Sequence, residues 1–178
     1  MSKRLIPDKI NRFNAYVGTV DAANKIVGIS SEIQLPTFEG LTETIFFSGS
    51  GGEVESPAVG LYKSCDVEIP FTNISPEGMK LAGDDSLALI LRGAQEFIDP
   101  ETNAKSFKNR TITIMGMTKK IDYGKLKMGG NGEPSITKEV TMYKDVLDGE
   151  IITEIHKFGG GKTIVNGIDV SAQIEELI

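Results

Sequence analysis

The chain has 178 residues, of which 39% are hydrophobic and 7% are aromatic, with no Trp and 20 Gly. This length suits one domain with a single core. The net charge of −6 argues against ordinary nucleic-acid binding, which depends on clustered Lys and Arg. The low apolar content fits either a protein that completes its burial against copies of itself or a polar, loop-rich monomer.

The chain has one cysteine, Cys65, so an internal disulfide bond is excluded. The longest aliphatic run, residues 87–91, is far too short to span a bilayer, and no apolar segment follows Lys3 and Arg4. We therefore expect a soluble protein that is made in the cytoplasm and does not insert into membranes.

The first half of the chain predicts four strands and a helix. Residues 11–17 alternate, with Phe13, Ala15 and Val17 on one face. Further strands are predicted at residues 25–35, 42–47 and 61–71, the first of them ending before a proline. A short helix is predicted from Ser75, the N-cap, through Pro76 at its first position to about residue 82.

The second half predicts a meander of antiparallel strands. Residues 87–97 and 106–119 form one pair, and residues 136–145 and 150–155 form another around Asp148-Gly149. Asp-Gly between apolar runs is a strong hairpin signal, because both central residues of a type I′ turn need a positive φ. A strand and turn follow from Thr163, and a short helix is predicted after Asp169. The whole is expected to be one mainly β domain, residues 1–178, a sandwich or barrel of antiparallel sheets with a short central helix and a short C-terminal one.

Residues that could carry chemistry have simpler structural interpretations. The run Phe158-Gly-Gly-Gly-Lys-Thr resembles part of a P-loop, but His156 stands where the first glycine is needed and a strand follows where a helix is required. His156 is the only histidine, which excludes paired-histidine metal sites. Asp84 and Asp85 lack the remaining spacing of a calcium loop. We expect no catalytic residue, no cofactor and no metal.

Two polar, Gly-rich loops interrupt the predicted strands, at residues 49–57 and 122–135. Long loops inside a tight meander are uncommon and suggest a function. The second contains two members of a lysine cluster formed by Lys119, Lys120, Lys125 and Lys127. The role of this cluster is either to keep an edge hairpin soluble or to meet an acidic face, such as Glu53 and Glu55, on a neighbouring copy. The candidate assembly residues are Gly49, Gly51, Gly52, Glu53, Glu55, Lys120, Asp122, Lys125, Lys127, Gly129 and Gly130.

The order of these elements resembles that of the major tail tube proteins of contractile-tailed bacteriophages. The family signature Lys-x-Ile-Asp-x-Gly-x-x-Lys-x-Gly is matched by Lys119, Ile121, Asp122, Gly124, Lys127 and Gly129. Tyr143, Asp148-Gly149, Glu154-Ile155 and the run of residues 166–169, Asn-Gly-Ile-Asp, match the strands and turns that follow. In the first half, residues 11–16, Leu35-Pro36 and the loop at residues 49–57 match more loosely.

The resemblance implies a structural protein and not an enzyme. Its expected assembly is a sixfold ring with a continuous β-barrel as inner wall, stacked into a tube through which DNA passes without specific binding. An acidic lumen would suit that role, since like charge keeps DNA from adhering. Expected partners are further copies of itself and the tail sheath, baseplate and tail terminator proteins. The expected location is the virion tail, after assembly in the host cytoplasm.

A β-sandwich module that binds a ligand such as carbohydrate is the alternative interpretation. Such modules usually present exposed Trp or Tyr as a stacking platform. The chain has no Trp and four Tyr, which makes this alternative weaker than the tube subunit.

Overall fold

The computed structural model describes residues 4–178 and shows two antiparallel sheets with two short α-helices. The elements in chain order are β1 (Ile6–Val17), a 3-10 turn (Ala22–Asn24), β2 (Lys25–Ile26), β3 (Gly40–Ile45), β4 (Val54–Tyr62), β5 (Asp66–Pro70), α1 (Pro76–Gly83), β6 (Leu89–Ile98), β7 (Lys105–Asp122), β8 (Ser135–Leu147), β9 (Glu150–His156), β10 (Lys162–Val165), β11 (Ile168–Asp169) and α2 (Ala172–Glu175). The expected mainly β fold with a central and a C-terminal helix is confirmed.

The larger sheet has nine strands, in the spatial order β11-β10-β9-β8-β7-β6-β1-β2, with β5 paired to the first part of β8. Strands β6 to β11 are therefore a meander, in which each strand pairs with its successor in the chain. β1 is distant in sequence from β6 but pairs with it along its length. The first pair is Ile6 with Ile98 and the last is Val17 with Leu89. β3 and β4 pair only with each other in a separate two-stranded sheet.

The core lies on one face of the large sheet and follows the predicted alternation. Ala15, Leu91 and Ile112 face one another across β1, β6 and β7 and are buried. Val17, Leu89, Ile114 and Tyr143 form the next row, and they are buried too. Because side chains on a strand alternate with period two, the alternation of residues 11–17 predicted the side of β1 that faces this core.

Helix α1 closes part of the core as its sequence predicts. The Ser75 hydroxyl caps it by accepting a bond from Gly78 N, and Pro76 occupies the first turn. Leu81 is completely buried. Gly78 allows the helix to approach Phe71, because a Cβ at that position would lie 2.5 Å from the Phe71 ring. The helix therefore requires glycine there, although glycine lowers intrinsic helix stability.

Three predicted segments are wrong in extent. The predicted strand at residues 25–35 is only β2 and an isolated bridge between Ile29 and Phe71. Gly28, with φ of 88°, interrupts the extended backbone after β2. The predicted strand at residues 61–71 is divided between β4 and β5, which belong to different sheets.

The third error concerns the Gly-rich loop predicted at residues 49–57. β4 already begins at Val54, so the connection between the two strands is residues 46–53. Glu55 and Pro57 lie in the strand, where they pair with Thr44 and Thr42. Ser and Pro in the sequence suggested a longer loop, but Pro is tolerated in a two-stranded sheet because the outer side of each strand is unpaired.

Candidate assembly surfaces

The smaller sheet is a hairpin arm, residues 40–62, formed by β3, β4 and their connection. Several of its apolar side chains are exposed to solvent: Leu41, Ile45, Phe46, Phe47, Val54, Val59 and Leu61. A two-stranded sheet alone is at most marginally stable in water, and exposed apolar patches of this kind usually mark an interaction site. The arm is therefore a candidate surface for protein contacts.

The base of the arm is fixed to the large sheet near β10. Tyr62 donates a hydrogen bond to the Thr163 hydroxyl at 3.3 Å, and its ring meets Phe38 edge-on. Gly60 and Gly161 approach so closely that a Cβ on Gly161 would lie 2.6 Å from the Gly60 carbonyl oxygen. Both glycines also have positive φ. This contact orients the arm relative to the sheet.

The Gly-rich run after His156 thus has a structural role. Residues 157–161 connect β9 to β10, and a strand follows them where a P-loop would continue as a helix. The ring of His156 lies 2.7 Å from a Glu154 carboxylate oxygen, and this hydrogen bond lowers the pKa of Glu154. Burial raises the pKa of the Cys65 thiol, which lies 3.5 Å from Lys157 Nζ and not beside His156. Among residues 4–178 no group of three metal-ligating side chains comes together.

The tip of the arm, residues 46–55, comprises the connection and the first two residues of β4. It contains five of the predicted residues: Gly49, Gly51, Gly52 and Glu53 in the connection and Glu55 in the strand. The glycines line an open turn, in which an added Cβ would meet no atom within 4 Å, and only Gly49 needs a positive φ. Ser50 closes the turn by bonds with Phe47. Neither glutamate forms an ion pair within residues 4–178, although the charge of Glu55 adds to that of Glu39 in raising the pKa of Lys63.

The second loop, predicted at residues 122–135, connects β7 to β8 and comprises residues 123–134. Its base is ordered within the single chain, because Lys125 N donates to the Gly132 carbonyl and Asp122 accepts a bond from Gly124 N. The side chains of Leu126 and Met128 at its far end are almost wholly exposed. Gly129 and Gly130 form the turn there, whereas Lys120 belongs to β7.

The lysine cluster is partly neutralised inside the subunit. Lys119 lies 3.0 Å from Asp66 and 3.7 Å from Glu139, and Lys125 lies 3.2 Å from Glu133. The hydrogen bond to Asp66 raises the pKa of Lys119. Lys120 and Lys127 form no ion pair within the described residues. No hydrogen bond or ion pair joins this loop to the arm there, so the structure does not bring the two predicted surfaces together in one subunit.

Sequence reasoning missed a third surface, the outer edge of β1. β2 covers only Ala15 and Tyr16, so the outer edge of β1 is unpaired from Ile6 to Asn14 within residues 4–178. An unpaired edge is a template for a strand of another chain. The proline and charges of residues 7–9 are typical of such an edge.

No helix within residues 4–178 has the length and apolar character needed to cross a bilayer. No curated protein matches the sequence. Among solved structures, the fold is similar to a chain from a structure titled "Cryo-EM Structure of an Extracellular Contractile Injection System, PVC sheath/tube terminator in extended state". The identity is 11% and the TM-score 0.49, over 79% of this chain and 96% of the other.

The sequence also matches a family model, that of phage tail tube protein FII, over residues 7–178. This match contains all the strands and helices except the first residue of β1. It agrees with the elements that resembled tail tube proteins, and it favours a structural role over a carbohydrate-binding one. The chain belongs to the phage tail tube protein FII family, and it is a structural component of a phage-type tail and not an enzyme.

Proposed function

We propose that this chain is the subunit of the inner tube of a contractile tail, and that it forms sixfold rings that stack into a conduit for DNA. The observation that carries the proposal is the division of the molecule into a well-paired sheet and a separate arm with exposed apolar side chains. A monomer gains nothing from exposing Phe46 and Phe47, whereas a subunit buries them on assembly.

Ring formation requires a heterologous interface, in which one patch meets a different patch and the rotation closes. The unpaired edge of β1 supplies one such patch, because pairing it with a neighbour removes the exposed edge. Around six copies, edge pairing would make the inner wall a continuous barrel. The tip of the arm and the loop at residues 123–134 would then bridge successive rings.

The remaining parts of the proposal concern what surrounds and fills the tube. The sheath would enclose the tube, the terminator would close one end of it, and the baseplate would be the platform from which the tube is assembled at the other end. The subunit's net charge of −6 would give a surface along which DNA slides without adhering. Assembly would take place in the host cytoplasm, and the tube would remain in the virion tail.

Negative-stain electron microscopy of the purified protein at high concentration tests this proposal. We expect rings or hollow tubes with sixfold end-on views. Particles that remain monomeric at the highest soluble concentration would contradict self-assembly, and a different rotational symmetry would contradict the sixfold ring alone.

A further inference from the structure

The arm has a chemical character that its partner must match. Between Gly40 and Tyr62 the charged residues are Glu43, Glu53 and Glu55, and there is no cation. Phe46 and Phe47 stand beside them, with 67% and 64% of their surface exposed. A surface that receives this tip must offer positive charge and an apolar contact together.

One cleft on the large sheet offers both. It lies across β1, β6 and β7, has a volume of about 440 Å³, and is bounded chiefly by Arg12, Asn14, Arg92, Phe107, Lys108 and Asn109. No carboxylate lines this cleft, although Lys108 already lies 3.5 Å from the Asp148 carboxylate. Phe107 is exposed over 61% of its surface and supplies the apolar contact.

The two arginines of the cleft are free to bind a carboxylate of another chain, whereas two of the four lysines in the cluster are already paired. Within residues 4–178, Arg12 forms no ion pair and Arg92 only donates to the Asn109 side chain at 3.4 Å. By contrast, Lys119 and Lys125 already contact carboxylates of their own subunit. A guanidinium binds a carboxylate through two parallel hydrogen bonds, so two free arginines suit Glu53 and Glu55 better than isolated ammonium groups do.

The cleft and the contacts that hold the base of the arm lie on different strands of the sheet. The arm is attached at β10, through Gly161 and Thr163, whereas the cleft lies across β7, β6 and β1. The segments that flank the arm also contact β8, where Phe38 packs against Tyr143 and Val140 N donates to the Cys65 carbonyl. The strands that hold the arm are therefore not the strands that form the cleft. An arm of one copy that occupies the cleft of the next makes a head-to-tail contact, which is the arrangement that generates rings and stacks.

We infer that the tip of the arm docks in the β1–β6–β7 cleft of a second copy of this chain, with Glu53 and Glu55 bound by Arg12 and Arg92. The phenylalanines of the tip pack against Phe107. This inference rests on the proposed self-assembly and names the surface that receives the arm. It replaces the lysine cluster as the partner of the two glutamates.

A charge exchange within one chain tests the contact. We compare the wild type with Glu53→Lys/Glu55→Lys, with Arg12→Glu/Arg92→Glu, and with the chain that combines all four changes. Each double variant is expected to raise the critical concentration for assembly by about tenfold or more, because like charges then meet. The variant with all four substitutions is expected to have a critical concentration within about threefold of the wild-type value, because the ion pairs are restored with reversed polarity. Sedimentation and electron microscopy measure assembly, and circular dichroism verifies that each variant is folded.

Lys120→Glu/Lys127→Glu is the matched control. Restoration of the Glu53→Lys/Glu55→Lys chain by this change, and not by the arginine exchange, would overturn the inference and favour the lysine cluster. Normal assembly of Arg12→Glu/Arg92→Glu, with loss of binding to a short DNA duplex, would overturn it in favour of DNA as the ligand of the cleft. In both cases the wild type still assembles and the proposed function survives. If the wild-type protein forms no rings, both the proposed function and this inference are contradicted.

Discussion

Gly60 and Gly161 show how single residues position the arm. Each has a positive φ and each faces the other's carbonyl, so neither a side chain nor a right-handed backbone fits. We expect Gly161→Ala to lower the free energy of unfolding by about 1–3 kcal/mol, from backbone strain and the lost contact. Urea denaturation measures the change. Gly51→Ala is the control, because its Cβ would meet no atom and its φ is not positive; equal losses in the two variants would contradict the explanation.

Tyr143 gives the stability of the fold a dependence on alkaline pH. Burial, followed by the neighbouring Asp145 carboxylate, raises the pKa of Tyr143 to about 12. An unfolded tyrosine titrates at about 10, so above that pH the unfolded state loses a proton that the folded state keeps. The stabilisation is fully present below pH 10 and is lost as the pH rises toward 12.

Tyr143→Phe removes this titration, and the variant is expected to lose less stability than the wild type between pH 10 and 12. Urea denaturation at several pH values measures the difference between the two proteins, in which the shared titration of the lysines cancels. Parallel pH profiles would show that Tyr143 titrates normally in the folded protein.

At the residue scale, the sequence predicted faces but not long-range contacts. The alternation of residues 11–17 placed Ala15 and Val17 on one face, and both are buried in the core. The approach of Gly60 to Gly161 leaves no local signal, because it joins segments about a hundred residues apart. The same reason explains why the free arginines of β1 and β6 were not predicted as a pair.

At the scale of whole segments, the loop between β7 and β8 can be shortened without disturbing the strands on either side. Gly124 and Glu133 already have positive φ, at 72° and 55°, and these are the values that a two-residue hairpin turn requires. Deletion of residues 125–132 joins them directly. We expect the shortened chain to remain folded, because no core side chain is lost, and to form rings that do not stack.

Circular dichroism and thermal unfolding measure the fold of the deletion variant, and electron microscopy measures tube length. Leu126→Ser/Met128→Ser is a companion variant that keeps the length of the loop and removes its two exposed apolar side chains. Long tubes from the deletion variant would show that the loop does not bridge rings.

The element predictions succeeded where turn chemistry was explicit. Asp148 and Gly149 have φ of 52° and 82°, as the type I′ turn requires, and β8 and β9 pair on either side. The predictions failed at residues 25–35, where Gly28 interrupts the extended backbone, and at residues 61–71, where the chain passes from one sheet to the other. Periodicity describes which residues face a core, but it contains no information on which sheet a strand joins.

For the whole molecule, the sequence predicted the fold class and the family but not the arrangement of the sheets. The nine-stranded sheet depends on pairings between distant segments, such as β1 with β6 and β5 with β8, whereas the arm is a local hairpin outside that sheet. The strands that hold the arm therefore differ from those that form the arginine cleft. A polarity of this kind is what a subunit needs in order to add to a growing polymer in one orientation.

The distant pairing of β1 also affects how the chain is made. β1 leaves the ribosome before β6, its main partner, which follows on the order of seventy residues later. During that interval most of β1 is unpaired, because β2 covers only Ala15 and Tyr16, and strands of neighbouring chains could pair with it. Asp8, Lys9 and Arg12 give it charge and Pro7 removes a donor, and these features discourage premature strand pairing. The edge that the finished subunit offers to its neighbours is thus protected during synthesis by the residues that border it.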